Sequence, residues 1–399
     1  MSSHAVRTLD DLGAIAGKRI LVRVDFNVPV DDAGQITDDT RIQGALPTIR
    51  ELVQAGGRVI LMSHRGRPKG WGGASLDVVA NRLAELLGTK VAFVDDVVGE
   101  AAGKAVADLS AGQVLLLQNL RYEAGEKAGD RLFAQKLARL GDVYVNDAFG
   151  TAHRADASVA LVPEILPGYA GRLLMRELEV LGHLVTDAAH PYWAIIGGSK
   201  VSDKVSLLGA LLTKVDGLIV GGGMANTFLS AQGYDMGASR VEPDAVNLAR
   251  DLLSRAHERK ITVVLPREVV AAQGFREDAP ARVAAPGTLR ADEMALDVAA
   301  SSVDEMLQQV HNAKTIFWNG PLGVFEWERF QEGTMRMAHG LAELSAEVVV
   351  GGGDSVAAVR RAGVSDRLAH ISTGGGAALE LLEGKTLPGV AALMTSPKE

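Results

Sequence analysis

The chain has 399 residues, 47% of them hydrophobic and 23% charged, with a net charge of −8 and no cysteine. This length exceeds one ordinary core and predicts two domains of roughly 150 to 200 residues. The acidic balance argues against nucleic acid, and the missing cysteines exclude disulfides, thiolate metal sites and cysteine nucleophiles. No stretch is long and apolar enough for a membrane span, and the start, MSSHAVRTLDDLGAIAG, has acids where a secretory signal needs an apolar core, so a cytoplasmic protein is expected.

Short runs rich in Val and Ile alternate with longer amphipathic segments, the pattern of parallel sheets covered by helices. In the first half, strands are expected at 19–25, 58–62, 114–117 and 142–146. SLDVVANRLAELLG reads as a helix, with Ser75 to cap it and Gly88 to end it. Turn signals at Pro167-Gly168 and Ala170-Gly171 then precede a glycine-free run, and His190-Pro191 stops the segment. This predicts a helix over 172–186 joining the two domains. In the second half, strands are expected at 192–196, 217–220, 261–265, 315–318 and 347–350.

Open parallel sheets bind ligands at the carboxyl ends of their strands. In the second half these exits read AIIGGSK, LIVGGGM, IFWNGPLG and VVVGGGD, with ISTGGGA near the end of the chain. Any α/β protein uses glycine for tight turns. Triple glycine, however, costs up to about 1 kcal/mol per residue in conformational entropy, so five such exits imply close approach to something. Exposed N–H groups and helix N-termini along one edge favour an anion, and a nucleotide phosphate chain fits. Neither G-x-G-x-x-G nor a complete Walker A loop is present, since Leu379 stands where the first glycine before Gly384-Lys385-Thr386 belongs.

The first-half exits carry side chains instead: VRVDFNVP, LMSHRGRP, LLLQNLRY and VYVNDAFGTAHR. Arg23, Asp25, Asn27, His64, Arg67, Arg121, His153 and Arg154 are expected to converge on one edge. Residues 1–150 hold 18 Lys and Arg against 19 Asp and Glu, whereas the remainder holds 23 against 30. Arginine forks bind carboxylate and phosphate bidentately, at roughly 1.5 to 3 kcal/mol per charge-assisted bond, so a small, heavily charged anion is indicated. One domain holding polyphosphate by backbone and another holding a small anion by arginine point to phosphoryl transfer between them. A non-catalytic nucleotide-binding scaffold is the second reading. A nicotinamide dehydrogenase is the weakest, for want of a dinucleotide fingerprint.

In their order along the chain these motifs, continued by GGSKVSDK, GGGMANTFL, NGPLGVFE, GGGDS and STGGGAALELLEGK, resemble the phosphoglycerate kinase family over nearly the full length. The resemblance implies two Rossmann-like doubly wound α/β domains joined by the interdomain helix, with a cleft between them. They would comprise 1–171 for phosphoglycerate and 187–384 for the nucleotide, with 385–399 returning to the first. It implies reversible, Mg-dependent transfer from 1,3-bisphosphoglycerate to ADP, giving 3-phosphoglycerate and ATP, by a monomer. Matched motif by motif, Asp25, Phe26, Asn27, Arg41, His64, Arg65, Gly66, Arg67, Arg121 and Arg154 bind the phosphoglycerate. Lys200 and Lys204 meet the nucleotide phosphates, Asn319 and Pro321 surround the nucleotide, and Glu326 takes the ribose hydroxyls. Asp354 holds Mg2+, Ser355 and the backbone of Gly352 and Gly353 approach the phosphates, and Gly375 and Gly376 lie near the transferring group.

The residues read alone agree in part. Lys200 and Lys204, four apart at an expected helix start, would share a face, and Asp354 after three glycines would more often be an N-cap than a metal ligand, the two roles being compatible. Both nucleophiles of the reversible reaction are ionised at neutral pH, so no general base is required. Arg41, Lys200, Mg2+ and glycine N–H groups would stabilise the transferring group. His64 would be a substrate contact and His153 structural. The chain departs from the family at Gln118, where Glu is usual, and at Ala299-Ala300, where Gly-Pro is usual near the adenine pocket.

Overall fold

The computed structural model describes residues 6–71 and 73–394. Its contacts group the described residues up to Gly182 and from Thr386 onward into one compact unit, and His183–Lys385 into a second.

The first unit is built on β1 (Arg19–Arg23), β2 (Arg58–Met62), β3 (Val91–Val94), β4 (Val114–Leu117), β5 (Val143–Asn146) and β6 (Gly168–Ala170). They form one parallel sheet in the order β3-β4-β2-β1-β5-β6. Both faces are covered, so strands such as RILVR and RVILM are apolar throughout rather than alternating, and Ile20, Val22, Val59 and Leu61 are buried against Ile42, Ile49 and Leu83 from helices. The second unit repeats the plan with β7 (Tyr192–Ile196), β8 (Gly217–Val220), β9 (Thr262–Val264), β13 (Thr315–Asn319), β14 (Glu347–Gly351) and β15 (His370–Ile371), parallel in the order β15-β14-β13-β7-β8-β9. Between β9 and β13 the chain adds an antiparallel sheet of β10 (Val269–Gln273), β11 (Ala281–Ala284) and β12 (Glu293–Val298). Sequence reasoning did not foresee it, because VVAAQ and ARVA lack the branched apolar run that marked the other strands.

The expected helix over 172–186 is present as Arg172–Thr186. Its first turn is satisfied by side chains: Asp147 Oδ1 accepts from Leu173 N at 2.9 Å and Leu174 N at 3.2 Å, and Thr48 Oγ1 from Arg172 N at 2.8 Å. A Cβ at Gly171 would lie 2.2 Å from that Asp147 oxygen, which explains the glycine. The helix Asp77–Leu87 ends at Gly88, φ 68°, as read from sequence, but Leu76 and not Ser75 is its N-cap residue. Leu76 is drawn fully into the core, and Ser75 Oγ is left a long 3.4 Å contact with Asp77 N.

Candidate active site

In the first unit the exits of β4, β2, β1 and β5 are neighbours, and polar side chains stitch them together. Asn27 Oδ1 accepts from Gly66 N at 2.8 Å, joining the β1 and β2 exits. Asn119 Oδ1 accepts from Arg65 N at 3.2 Å and Arg121 N at 3.1 Å, joining β2 to β4. Phe26 is buried, and its N–H donates to Ser63 Oγ at 2.8 Å. Arg41 Nη1 stands 3.0 Å from Asp25 Oδ2 and 3.2 Å from Asn27 O. Arg121 Nη1 donates to Gly66 O.

Among the buried donors on these exits with no hydrogen-bond partner among the described residues are His64 Nε2, Arg121 Nε, Asn146 Nδ2 and Arg154 Nη1. Leaving such groups unpaired costs about 1 to 3 kcal/mol each, more when charged, so these donors call for an acceptor from outside the chain. Burial holds His64 well below the ordinary imidazole range, helped by Arg23, Arg121, Arg154 and Arg41. Burial also lowers Arg121, and Arg154 adds to it. Arg67 is exposed, while Arg65 Nε turns to Ser75 O at 3.0 Å. Arg23, expected on the open edge, is instead fully buried, with Nε donating to Ser158 Oγ at 2.8 Å. The side-chain hydrogen bonds of Gln118 go to Leu76, Asn119, Ser75 and Asp95, and none to Arg121.

In the second unit the glycine-rich exits of β7, β8 and β13 lock into one another. Gly197 N donates to Asn319 O at 2.9 Å, Gly198 N to Pro321 O at 3.0 Å, Gly222 N to Leu322 O at 3.0 Å and Met224 N to Gly198 O at 2.9 Å. At Gly320, φ 96°, a Cβ would come within 2.3 Å of Gly197 O. Much of the glycine therefore serves backbone-on-backbone packing, and these N–H groups are not the open anion cradle read from sequence. Lys204 Nζ sits where β7 and β13 diverge, bonded to Gly197 O at 2.7 Å and to Asn319 Oδ1 at 2.5 Å, and burial pushes its pKa down to about 8. Asn319 Nδ2 donates to Gly351 O at 2.7 Å, and Ser355 Oγ accepts from Gly320 N at 2.5 Å, tying β13 to β14.

Lys200 lies in the loop and Lys204 in a 3-10 turn before the helix Val205–Leu211, so they do not share a helix face. The turn starts where Glu242 accepts from Val201 N and Ser202 N. Asp354 is not an N-cap: Gly352, φ 94°, holds that position for the helix Gly353–Arg361, and Asp354 is exposed in its first turn. Gly353 and Gly375 face open space, and Gly375, φ 51°, precedes the helix Gly376–Leu382.

A cavity of about 500 Å³ opens beside these exits, with Pro321, Glu326 and Asp354 in its wall and Leu296, Leu322 and Val324 supplying apolar surface. Ala299 and Ala300 do not line it; the segment that does is 294–298, and Ala299 is the buried N-cap of the helix Ala300–Val310. Sequence reasoning missed two further wall residues, Arg240 and Asp297. Asp297 is buried, its pKa raised to about 8 by burial against the N–H bonds from Gly333 and Val298. Its only signal was an acid, Asp297, between the apolar residues Leu296 and Val298 of the strand EMALDV.

The family model for phosphoglycerate kinase matches residues 9–385. The chain is 53% identical over 388 residues to a phosphoglycerate kinase of Moorella thermoacetica, covering 97% of this chain and 98% of the relative. It is 50% identical over 400 residues to one from Chloroflexus aurantiacus, covering 98% and 99%. Among solved structures, phosphoglycerate kinase from Coxiella burnetii superposes with a TM-score of 0.87 at 39% identity, and that from Pyrococcus horikoshii with 0.86 at 30%, each covering 97% of this chain and 98% of the other.

Proposed function

The chain belongs to the phosphoglycerate kinase family, and from that premise we propose how its residues share the family's reaction. The reaction is reversible phosphoryl transfer from 1,3-bisphosphoglycerate to ADP, giving 3-phosphoglycerate and ATP. Asp25, Phe26, Asn27, Arg41, His64, Arg65, Gly66, Arg67, Arg121 and Arg154 take the phosphoglycerate. The observation that carries this assignment is the group of buried donors without partners on neighbouring strand exits, His64 Nε2, Arg121 Nε and Arg154 Nη1 among them. The cavity beside Pro321 takes the nucleoside, with Glu326 at the ribose. Lys200, Lys204, Asn319, Ser355 and the N–H groups of Gly352 and Gly353 serve the phosphates.

No cluster of three or more His, Cys, Asp or Glu side chains that could hold a metal occurs among the described residues. A lone exposed carboxylate, Asp354, fits Mg2+ only when phosphate oxygens and water complete the shell, which is how this hard cation ordinarily binds. The cation would supply charge neutralisation. A terminal ADP oxygen attacks phosphorus, the bond to the acyl oxygen breaks, and the carboxylate leaves with its electron pair. No proton moves, so the residues supply position and positive charge: Arg41, Lys200 and the N–H groups at Gly375 and Gly376. Direct transfer requires the two substrates to meet during turnover, which scattering with and without both ligands reports.

No helix among the described residues is long and apolar enough to cross a membrane. A cytoplasmic monomer completes the proposal, and light scattering checks its oligomeric state. The direct test of function is coupled turnover with 3-phosphoglycerate, ATP and Mg2+. Oxidation of NADH by the coupling enzyme is expected; nucleotide binding without turnover would leave the scaffold reading in its place.

A further inference from the structure

Arg23 ends β1 with its side chain wholly out of solvent, and a buried guanidinium persists only when paired. Nε donates to Ser158 Oγ at 2.8 Å, Nη1 to Val24 O, and Nη2 lies 3.1 Å from His64 Nδ1. Glu126, equally buried, stands 4.0 Å from Nη2 and accepts from Ser158 Oγ at 2.5 Å and Ser158 N at 2.9 Å. A chain of polar contacts therefore runs from Glu126 through Ser158 and Arg23 to His64. None of the first three is among the proposed substrate contacts.

A guanidinium has donors and no acceptor, so Nδ1 of His64 must accept from Arg23, and the imidazole proton resides on Nε2. Asp25 Oδ1 is the rival partner for a protonated Nδ1, but at 3.9 Å it is beyond hydrogen-bond reach. Nε2 is the buried atom without a partner. We infer that Arg23 is a positioning residue, fixed by Ser158 and Glu126, which holds His64 as a neutral imidazole whose Nε2–H is reserved for an anionic oxygen of the phosphoglycerate. The inference rests on the proposed phosphoglycerate site. It gives that site a donor whose charge does not vary around neutral pH. The charged groups facing His64 are Arg23, Arg41, Arg121 and Arg154, with the Asp25 carboxylate opposing them.

The test reads the imidazole directly. In full-length protein labelled with 15N-histidine, the His64 signals are assigned by their loss in His64→Gln. Nδ1 is expected unprotonated and Nε2 protonated from about pH 5.5 to 8, the window in which a free histidine changes charge. A proton on Nδ1, or titration at the ordinary imidazole value, overturns the inference. Removing Arg23 alone strands a buried acid, so the informative variant is Arg23→Met with Glu126→Gln. Its His64 should titrate nearer the ordinary value, and KM for 3-phosphoglycerate should rise about tenfold while kcat and KM for ATP change little. Ser158→Ala, which leaves both charges in place, should move both readouts the same way by less. A folded double variant with unchanged His64 titration and unchanged KM sinks the idea. The NMR readout needs no substrate. A wild type that fails to turn over 3-phosphoglycerate removes the proposed function without deciding the tautomer.

Discussion

At the scale of single residues, the site is defined by which donors are already engaged and which are not. The described bonds of Arg41 engage only Nη1, which leaves its other donors for the role proposed for it. Arg41→Ala should lower kcat on the order of a hundredfold or more with little change in nucleotide Kd; equal losses in both would place Arg41 in ground-state binding. Asp354→Ala should raise sharply the Mg2+ concentration needed for half-maximal rate, and an unchanged titration would remove it from the metal. Gln118 makes a different argument. Its Nε2 donates to Asp95 Oδ1 at 2.7 Å, so a Glu at this position would set two carboxylates together. Gln118→Glu should cost about 1 to 3 kcal/mol near neutral pH and recover as acidification lets the pair share a proton, read as melting temperature against pH. KM for 3-phosphoglycerate should stay nearly constant, because Gln118 makes no bond to Arg121.

Elements meet at buried polar atoms, and the start of the helix Arg172–Thr186 is the clearest case. Asp147, fully buried, accepts two N–H groups of its first turn, yet burial pushes the carboxyl up to about 6 against those bonds and the pull of the Thr48 hydroxyl. The folded pKa lies above the unfolded one, so the folded chain binds the proton more tightly. That contribution to stability is complete below the unfolded pKa, near 3.8, and is lost as pH rises through about 6. Asp147→Asn keeps an acceptor for the helix without the charge. Relative to it, the wild type should lose on the order of 3 kcal/mol between about pH 4 and 7 in chemical denaturation, and parallel curves would count against a buried titrating acid. The strands that were expected were legible because double-sided burial writes an uninterrupted apolar run; β3, β6 and β15 were not, β3 being only partly buried and the other two three and two residues long. The exits were legible because glycine and arginine follow those runs directly. The part played by Gly320 was not, since a turn glycine, an anion cradle and a backbone contact 2.3 Å from a would-be Cβ all look alike in sequence.

For the whole molecule, two parallel sheets and a joining helix could be read from periodicity and length. The antiparallel sheet and the wall residues Arg240 and Asp297 could not, because their roles depend on contacts made far along the chain. The return of the C-terminal segment, which the family resemblance had implied, is also a contact made far along the chain. Leu387, Val390 and Leu393 are buried in the first unit, Gly389 N donates to Ala152 O at 2.8 Å, and Met394 bridges to Val6. The first unit is therefore discontinuous in sequence. Burying each of those three apolar side chains contributes roughly 1.5 to 3 kcal/mol, so together they approach the 5 to 15 kcal/mol that holds an ordinary domain. A chain ending at Lys385 should lose or sharply lower the thermal transition of the first unit, and with it 3-phosphoglycerate binding. The second unit, His183–Lys385, keeps all its own residues and should still bind ADP with near wild-type affinity. Calorimetry with isothermal titration of each ligand separates the two outcomes. A truncated chain that kept both transitions and both affinities would show that the first unit completes its core without its final segment.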